Sequence, residues 1–245
     1  MRVALLSDVH ANLPALEAVL RHAEAQQALD QVWSRGDLVG YGPHPNECLA
    51  LLRRYPFVSV AGNHDLAATG DLDTMEFNPD AAAAVAWTAR RLTEDERAFL
   101  HGLPLVRFED EFTLVHGSLR HPVWEYILRP ETAQAHLARQ QTRYSLVGHT
   151  HVPMLAVEPA PHQPPVLHWP EDGETVALAE QRLIINPGGV GQPRDGDPRA
   201  AYAVLDLAAR TVTFHRVPYE IARTQQAMQE AGLPPWLILR LAYGR

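Results

Sequence analysis

The chain has 245 residues, of which 46% are hydrophobic and 20% charged, and its 29 acidic and 21 basic residues give a formal net charge of −8. This is a globular composition, and it excludes disorder, collagen and coiled coil as the main architecture. The acidic balance argues against the broad basic surface that binds long nucleic acid. No apolar run reaches the roughly 20 residues that cross a bilayer, and the first residues do not have the pattern of a secretion signal, so we expect neither a secreted nor a membrane protein. The one cysteine, Cys48, allows no internal disulfide, so we expect a cytoplasmic protein that does not act on membranes.

Short apolar runs recur along the chain, and helical patterns lie between them. The runs are too short for helices and rich in branched residues, which predicts buried strands. Those that stop at polar residues are 3–6, 32–33, 58–61, 112–115, 145–147 and 183–185, and a closing antiparallel pair is predicted at 201–207 and 211–217. Helices are predicted after an Asn12 cap, at 45–54, at 81–91, after a Thr93 cap, and at 130–139, 219–231 and 235–242.

Strands that alternate with helices, followed by a strand-rich second half, indicate an α/β architecture. No linker separates two cores, so we expect one domain over 1–245 with accessory helices at about 75–100 and 219–245. These helices would complete the core, cap a cleft or form a homodimer interface. The Pro-rich segment 158–165 is predicted to connect two short strands at the surface, and Asp172-Gly173 is predicted to form a hairpin turn.

Polar residues gather where the predicted strands end, and ligands of open α/β sheets bind beyond such ends. Extended backbone would point Asp8 and His10, and likewise His149 and His151, to one side. A carboxylate such as Asp37 can bridge two ions. Each motif alone also fits a turn or a helix cap, but together they predict a two-metal site. The residues are Asp8, His10, Asp37, Asn63, His64, His116, His149 and His151, with Asp65 a candidate to orient a neighbouring ring.

These motifs resemble those of the calcineurin-like metallophosphoesterases, in particular their small bacterial and archaeal phosphodiesterases. The resemblance covers essentially the whole chain and implies a four-layer α/β/β/α sandwich of two mixed sheets flanked by helices. It also implies two divalent ions, with manganese expected first and iron, zinc, nickel or cobalt as alternatives; oxygen and imidazole ligands suit these metals. The matching residues are Asp8, His10, Asp37 and His151 for one ion, and Asp37, Asn63, His116 and His149 for the other.

The resemblance implies hydrolysis of a small phosphate ester or nucleotide, foremost a phosphodiester. A metal-bridging hydroxide would attack in line, and His64 would be the general acid. A phosphomonoesterase or protein phosphatase, a dinucleoside-polyphosphate hydrolase and a non-catalytic scaffold stay open as alternatives.

Many members of the family carry an acidic residue and an arginine after the Gly-Asp-x-x segment, where this chain has Gly40-Tyr41. A phosphate contact must therefore come from elsewhere. Asn12, Tyr41 and Arg194 are the candidates for substrate contact, although Arg194 could instead pair with Asp195 or Asp197.

Overall fold

The computed structural model describes residues 1–161 and 163–245. Within these ranges the strands are β1 (Arg2–Leu6), β2 (Gln31–Ser34), β3 (Phe57–Ser59), β4 (Val106–Glu109), β5 (Phe112–Val115), β6 (Tyr144–Leu146), β7 (Pro153–Val157), β8 (Val166–His168), β9 (Thr175–Ala177), β10 (Leu183–Pro187), β11 (Ala200–Asp206) and β12 (Thr211–Val217). The helices are α1 (Leu13–Ala25), α2 (Pro45–Leu52), α3 (Asn63–Thr69), α4 (Pro79–Arg91), α5 (Glu94–His101), α6 (Pro130–Leu137), α7 (Ile221–Glu230) and α8 (Pro235–Leu239), which continues into a 3-10 turn, Arg240–Tyr243.

The strands form two mixed six-stranded sheets. The first has the order β3-β2-β1-β11-β12-β9 and the second β4-β5-β6-β10-β7-β8. In the first sheet β1, β2 and β3 run parallel and β11 returns antiparallel to β1. In the second, β5, β6 and β10 are parallel. The parallel strands of each sheet therefore end at a common edge, and the loops that follow them lie side by side.

Side-chain alternation along the strands creates the layers. On β1, Val3 and Leu5 pack between the two sheets, whereas Ala4 and Leu6 face α1 on the outer side. The outer face of the second sheet, with Ile184 of β10, packs against α6. Helix, sheet, sheet and helix thus follow one another, which confirms the four-layer sandwich.

Helices from the two accessory regions pack against each other. Ala84 of α4, Met228 of α7 and Leu237 of α8 share one buried cluster, and Tyr41 belongs to it. Tyr41 follows β2, so this cluster lies beside the loops at the sheet edge. In the described part of the chain, no helix is both long enough and apolar enough to span a membrane.

The predicted hairpin at Asp172-Gly173 is wrong. A turn is present, but β8 pairs with β7 in the second sheet while β9 pairs with β12 in the first. The turn signal correctly indicates a reversal of the chain, but it carries no information on which partner each strand takes. The predicted connection 158–165 joins the antiparallel strands β7 and β8; His162 within it lies outside the described residues.

Candidate metal centre

Polar side chains from five loops meet at the common edge of the two sheets. Asp8 and His10 follow β1, Asp37 follows β2, Asn63 begins α3, His116 follows β5, and His149 and His151 follow β6. The ligand atoms of Asp8, His10, Asp37 and His151 lie within 4.8 Å of one another, and those of Asp37, His116 and His149 form a second such group. Oδ1 of Asn63 is 3.2 Å from Nε2 of His116. The fold thus brings together all seven residues predicted as ligands.

Asp37 belongs to both groups through a single oxygen. Its Oδ2 lies 3.6 Å from Nε2 of His10 in the first group and 3.3 Å from Nε2 of His116 in the second. Its Oδ1 accepts a hydrogen bond of 2.9 Å from the backbone N–H of His64. Oδ1 of Asp37 is therefore held by the backbone, and Oδ2 faces both groups of ligand atoms.

Backbone carbonyls fix the orientation of three histidine rings. Because a carbonyl can only accept, Nδ1 of each ring carries a proton and Nε2 is the atom that faces the centre. The pairs are His10 Nδ1 with Val39 O at 3.1 Å, His116 Nδ1 with Arg35 O at 2.7 Å, and His151 Nδ1 with Gln192 O at 2.5 Å.

Several ligand atoms lack partners that would satisfy them. Oδ1 of Asp8 is buried and accepts no hydrogen bond from any described residue. Nε2 of His10 faces Nε2 of His151 at 3.3 Å, and because both rings carry their proton on Nδ1, the two lone pairs oppose each other. A buried unpartnered carboxylate oxygen and opposed nitrogen lone pairs are costly, and a cation between them removes both costs. This donor set fits divalent metal ions.

The charge states of the histidines agree with a metal centre. Burial lowers the pKa of His10, His149 and His151 well below the usual histidine value, so these rings are neutral near pH 7. Burial also opposes protonation of His116, but the charge and the hydrogen bond of Asp37 outweigh it and raise the pKa of His116 to about 9. Three of the four rings are thus ready to bind a cation without losing a proton.

The backbone at the centre is left-handed rather than extended. Asp8, His10, Asp37, His149 and His151 have φ between 48° and 64°. The prediction that extended backbone aligns Asp8 with His10 is therefore wrong, and left-handed turns aim these side chains instead. Such conformations in non-glycine residues cost about 1–3 kcal/mol each and cluster at functional sites.

Two glycines permit close approach of the loops. A side-chain carbon at Gly62 would overlap the Asp37 carboxylate, and one at Gly148 would overlap the Ser7 hydroxyl. The backbone N–H of Gly148 donates to His116 O at 2.8 Å, which joins the loops after β5 and β6.

His64 lies in the first turn of α3 and is buried beside the centre. Its ring is 4.8 Å from the His10 ring, 4.3 Å from Tyr41 and 4.9 Å from Phe77, between centroids. Nδ1 of His64 has no hydrogen-bond partner among the described residues. Burial lowers the pKa of His64 to about 4, although the charge of Asp37 opposes this, so its ring is neutral in the free protein.

Asp65 does not orient a histidine ring, contrary to prediction. Its Oδ1 accepts the backbone N–H groups of Leu38 at 2.8 Å and Val39 at 3.1 Å, and its Oδ2 accepts that of Gly62 at 3.0 Å. Asp65 thus ties the start of α3 to the loop that carries Asp37.

An open cavity lies over the centre. Asp37, Asn63, His64, His149 and His151 form its floor, and its walls include Tyr41, Glu76, Phe77, Asn78, Ala81, Trp124, Tyr126 and Arg194. Arg194 is the only arginine or lysine among these lining residues. It donates to Gln192 Oε1 at 2.9 Å and contacts the Tyr41 hydroxyl at 3.5 Å.

Arg194 forms neither of the ion pairs considered as alternatives. Asp195 pairs with Arg216, and Asp197 pairs with Arg199 at 2.7 Å. The Arg194 guanidinium is therefore available to an anion in the cavity.

The structure does not bring Asn12 to the cavity. Asn12 is buried, and its Oδ1 caps α1 by accepting the N–H of Ala15 and also accepts the Thr224 hydroxyl. Its Nδ2 donates to Gly191 O at 2.8 Å and to the Tyr219 hydroxyl at 3.2 Å. These bonds join α1 to α7, which is a structural role.

Six residues of the cavity wall were not predicted from the sequence: Glu76, Phe77, Asn78, Ala81, Trp124 and Tyr126. Ala81 lies in α4, and the other five belong to the loops between α3 and α4 and between β5 and α6, which no periodic pattern marks. The sequence does contain one signal for this wall: two aromatic residues, Trp124 and Tyr126, follow the candidate ligand His116 by a few residues.

The family model and one of the solved structures that this chain resembles are those of phosphoesterases, which agrees with a metal centre at this position. Residues 1–210 match the model of the calcineurin-like phosphoesterase superfamily domain. The chain is 34% identical to an uncharacterized protein of Methanocaldococcus jannaschii, covering 99% of this chain and 98% of that protein. The crystal structure of a metallophosphoesterase from Sphaerobacter thermophilus is 50% identical, with 100% of this chain and 99% of that chain covered and a TM-score of 0.91.

A more distant match is a symmetrical bis(5'-nucleosyl)-tetraphosphatase of Photorhabdus laumondii. It is 26% identical over 59% of this chain and 52% of its own length, so the match spans about half of that enzyme. The motifs at the sheet edge, the four-layer fold and the family match agree. The chain is therefore a phosphoric ester hydrolase and belongs to the calcineurin-like phosphoesterase superfamily.

Proposed function

We propose that this protein is a phosphodiesterase that uses two divalent metal ions, with manganese expected first. The observation that carries the proposal is the position of Asp37 Oδ2 between two groups of buried ligand atoms. Asp8, His10 and His151 complete the first group, and Asn63, His116 and His149 complete the second.

The charge of the proposed centre comes from the metal ions and from the carboxylates that would hold them. Two divalent ions, if held by these residues, would supply positive charge to the phosphate oxygens and would activate water for attack near neutral pH. Asp8 and Asp37 bring two negative charges, which leaves the centre with a net positive charge. This local charge would allow a chain of net charge −8 to attract a phosphate ester.

His64 is proposed as the general acid for the leaving oxygen. It lines the cavity next to Asp37 but belongs to neither group of ligand atoms. Burial keeps its pKa at about 4 in the free protein. A bound phosphate anion beside the ring favours its protonated form, so we expect His64 to take up its proton together with the substrate.

Arg194 and Tyr41 are proposed to hold the phosphate in the cavity beside the candidate ligands. The Arg194 guanidinium lies 5.8 Å from the centre of the Tyr41 ring, and both line the cavity. The side chains that line the cavity include one arginine and also the carboxylate Glu76. A diester with one negative charge suits this wall better than a monoester with two.

A dinucleoside-polyphosphate hydrolase is the second candidate. It is favoured by the sequence match to a symmetrical bis(5'-nucleosyl)-tetraphosphatase. Either substrate would be small, and we propose that the enzyme meets it in the cytoplasm, because its one cysteine, Cys48, is free and buried.

The test is hydrolysis of bis-p-nitrophenyl phosphate beside p-nitrophenyl phosphate. Metal-stripped protein would be assayed after addition of manganese, nickel, cobalt, zinc or magnesium. We expect manganese to restore cleavage of the diester in preference to the monoester. Preference for the monoester would make the protein a phosphatase, and cleavage of diadenosine tetraphosphate alone would favour the second candidate.

A further inference from the structure

Three aromatic rings on the cavity wall have no part in the proposed chemistry. Phe77 comes from the loop between α3 and α4, and Trp124 and Tyr126 come from the loop between β5 and α6. Tyr126 is 43% exposed, and Phe77 and Trp124 are half-buried. A ligand that filled the cavity would cover the exposed parts of these rings, and burial of their apolar surface would favour binding.

The rings pack against His149, a candidate ligand, and against His64, the candidate general acid. Tyr126 stacks on the ring of His149, with centroids 4.2 Å apart and planes at 8°. Phe77 meets His64 edge to face at 4.9 Å and meets Trp124 at 5.3 Å. A phosphate held at the centre would therefore place its ester substituent among these three rings.

The chemistry of this wall selects among substituents. Flat aromatic side chains stack well on another flat ring, and stacking on a nucleobase strengthens binding about 5- to 150-fold per base. Glu76 and Asn78 flank Phe77 on the same wall and offer a carboxylate and an amide to the polar edge of such a ring. An aliphatic ester group would use neither feature.

We propose that Phe77, Trp124 and Tyr126 form a subsite for the nucleobase of a nucleotide ester. This inference rests on the proposed function, because it needs the phosphate to bind at the candidate metal centre. It adds the substrate class and the residues that select it.

The test compares ligands that share a phosphate and differ in the base. Binding of adenosine monophosphate, ribose 5-phosphate and inorganic phosphate to manganese-loaded protein would be measured by calorimetry. We expect adenosine monophosphate to bind at least about tenfold more tightly than ribose 5-phosphate. Trp124→Leu and Phe77→Leu should bring this ratio close to one while the affinity for inorganic phosphate stays unchanged.

Two further variants separate stacking from damage to the fold. Trp124→Phe keeps a ring and should keep most of the ratio. Trp169→Leu removes an exposed tryptophan that does not line the cavity and should leave the ratio unchanged.

A ratio near one in the unmodified protein, or a ratio that the leucine variants leave unchanged, would overturn the base subsite. In both cases retained binding of inorganic phosphate would leave the proposed function standing. Absence of binding by all three ligands, together with absence of turnover, would overturn the proposed function and this inference with it.

Discussion

The backbone N–H of His64 donates a hydrogen bond of 2.9 Å to Oδ1 of Asp37. The other oxygen of Asp37 lies between the two groups of ligand atoms. The carboxylate shared by both groups therefore also sets the position of the candidate general acid. Asp37 is thus assigned to metal binding and His64 to proton transfer, and substitutions at the two positions test these roles separately.

Asp37→Asn keeps the shape of the side chain and an oxygen that can accept from His64, but it removes the shared charge. We expect metal content to fall below two ions per chain. Diester turnover should fall by more than the roughly 10- to 100-fold typical for loss of an outer partner of a metal ligand. Elemental analysis of the purified protein and the p-nitrophenyl assay measure the two effects.

The matched control is Asp71→Asn, which alters an exposed carboxylate paired with His101. It should leave both metal content and turnover unchanged. Full metal content and full activity in Asp37→Asn would show that the shared oxygen is not a ligand.

Asp65→Asn tests a structural carboxylate at the same site. The Asp65 carboxylate accepts three backbone N–H groups, and an asparagine can accept with only one of its two terminal atoms. We expect the unfolding free energy of the metal-free protein to fall by about 1.5–3 kcal/mol. Urea denaturation measures this change.

At saturating manganese the Asp65→Asn protein should still bind as much metal as the unmodified protein. Asp30→Asn, at an exposed carboxylate that accepts one backbone N–H from Arg2, should change stability by less than about 0.5 kcal/mol. Unchanged stability combined with lost metal would instead make Asp65 a part of the metal centre.

The residues of the centre could be predicted because each stands where a strand stops. Asp8, Asp37, His116 and His149 follow buried apolar runs, and the common edge of the parallel strands brings such positions together. The directions in which these side chains point could not be predicted, because they depend on left-handed backbone that nothing in the local sequence requires.

The cavity wall could not be predicted for a different reason. Phe77 and Trp124 are distant in sequence, and their rings are in contact only because the loops after α3 and β5 lie on the same side of the centre. The role of Asp65 was mistaken because a carboxylate beside a histidine fits two functions equally well: orienting a ring and accepting backbone N–H groups. Only the positions of Leu38, Val39 and Gly62 decide between them.

His64→Ala tests the general acid through the leaving group. We expect turnover of a diester with a poor alkoxide leaving group to fall about 10²–10⁴-fold, while one with p-nitrophenolate, which needs little protonation, falls much less. Metal content should stay at the level of the unmodified protein. His101→Ala, at an exposed histidine, is the control. Equal losses for both leaving groups, or loss of the metal, would remove His64 from the role of acid.

The last prediction concerns protons released when metal binds. In the metal-free protein the pKa of His116 is raised to about 9 by Asp37 against the opposing effect of burial, so His116 is protonated at pH 7.5. A cation that binds to Asp37, His116 and His149 must displace this proton. The apparent affinity of this group should therefore rise about tenfold per pH unit up to about pH 9 and level off above it.

The other ligands contribute little to this release. Burial raises the pKa of Asp8 only to about 6, and it lowers the pKa of His10, His149 and His151, so all four are already deprotonated at pH 7.5. Calorimetric titration with manganese in buffers of different ionisation enthalpy counts the protons. His116→Asn, which keeps an oxygen ligand but has no titrating ring, should release one proton fewer than the unmodified protein. Equal release from the two proteins would show that His116 is neutral before metal binds, and that Asp37 does not hold its proton.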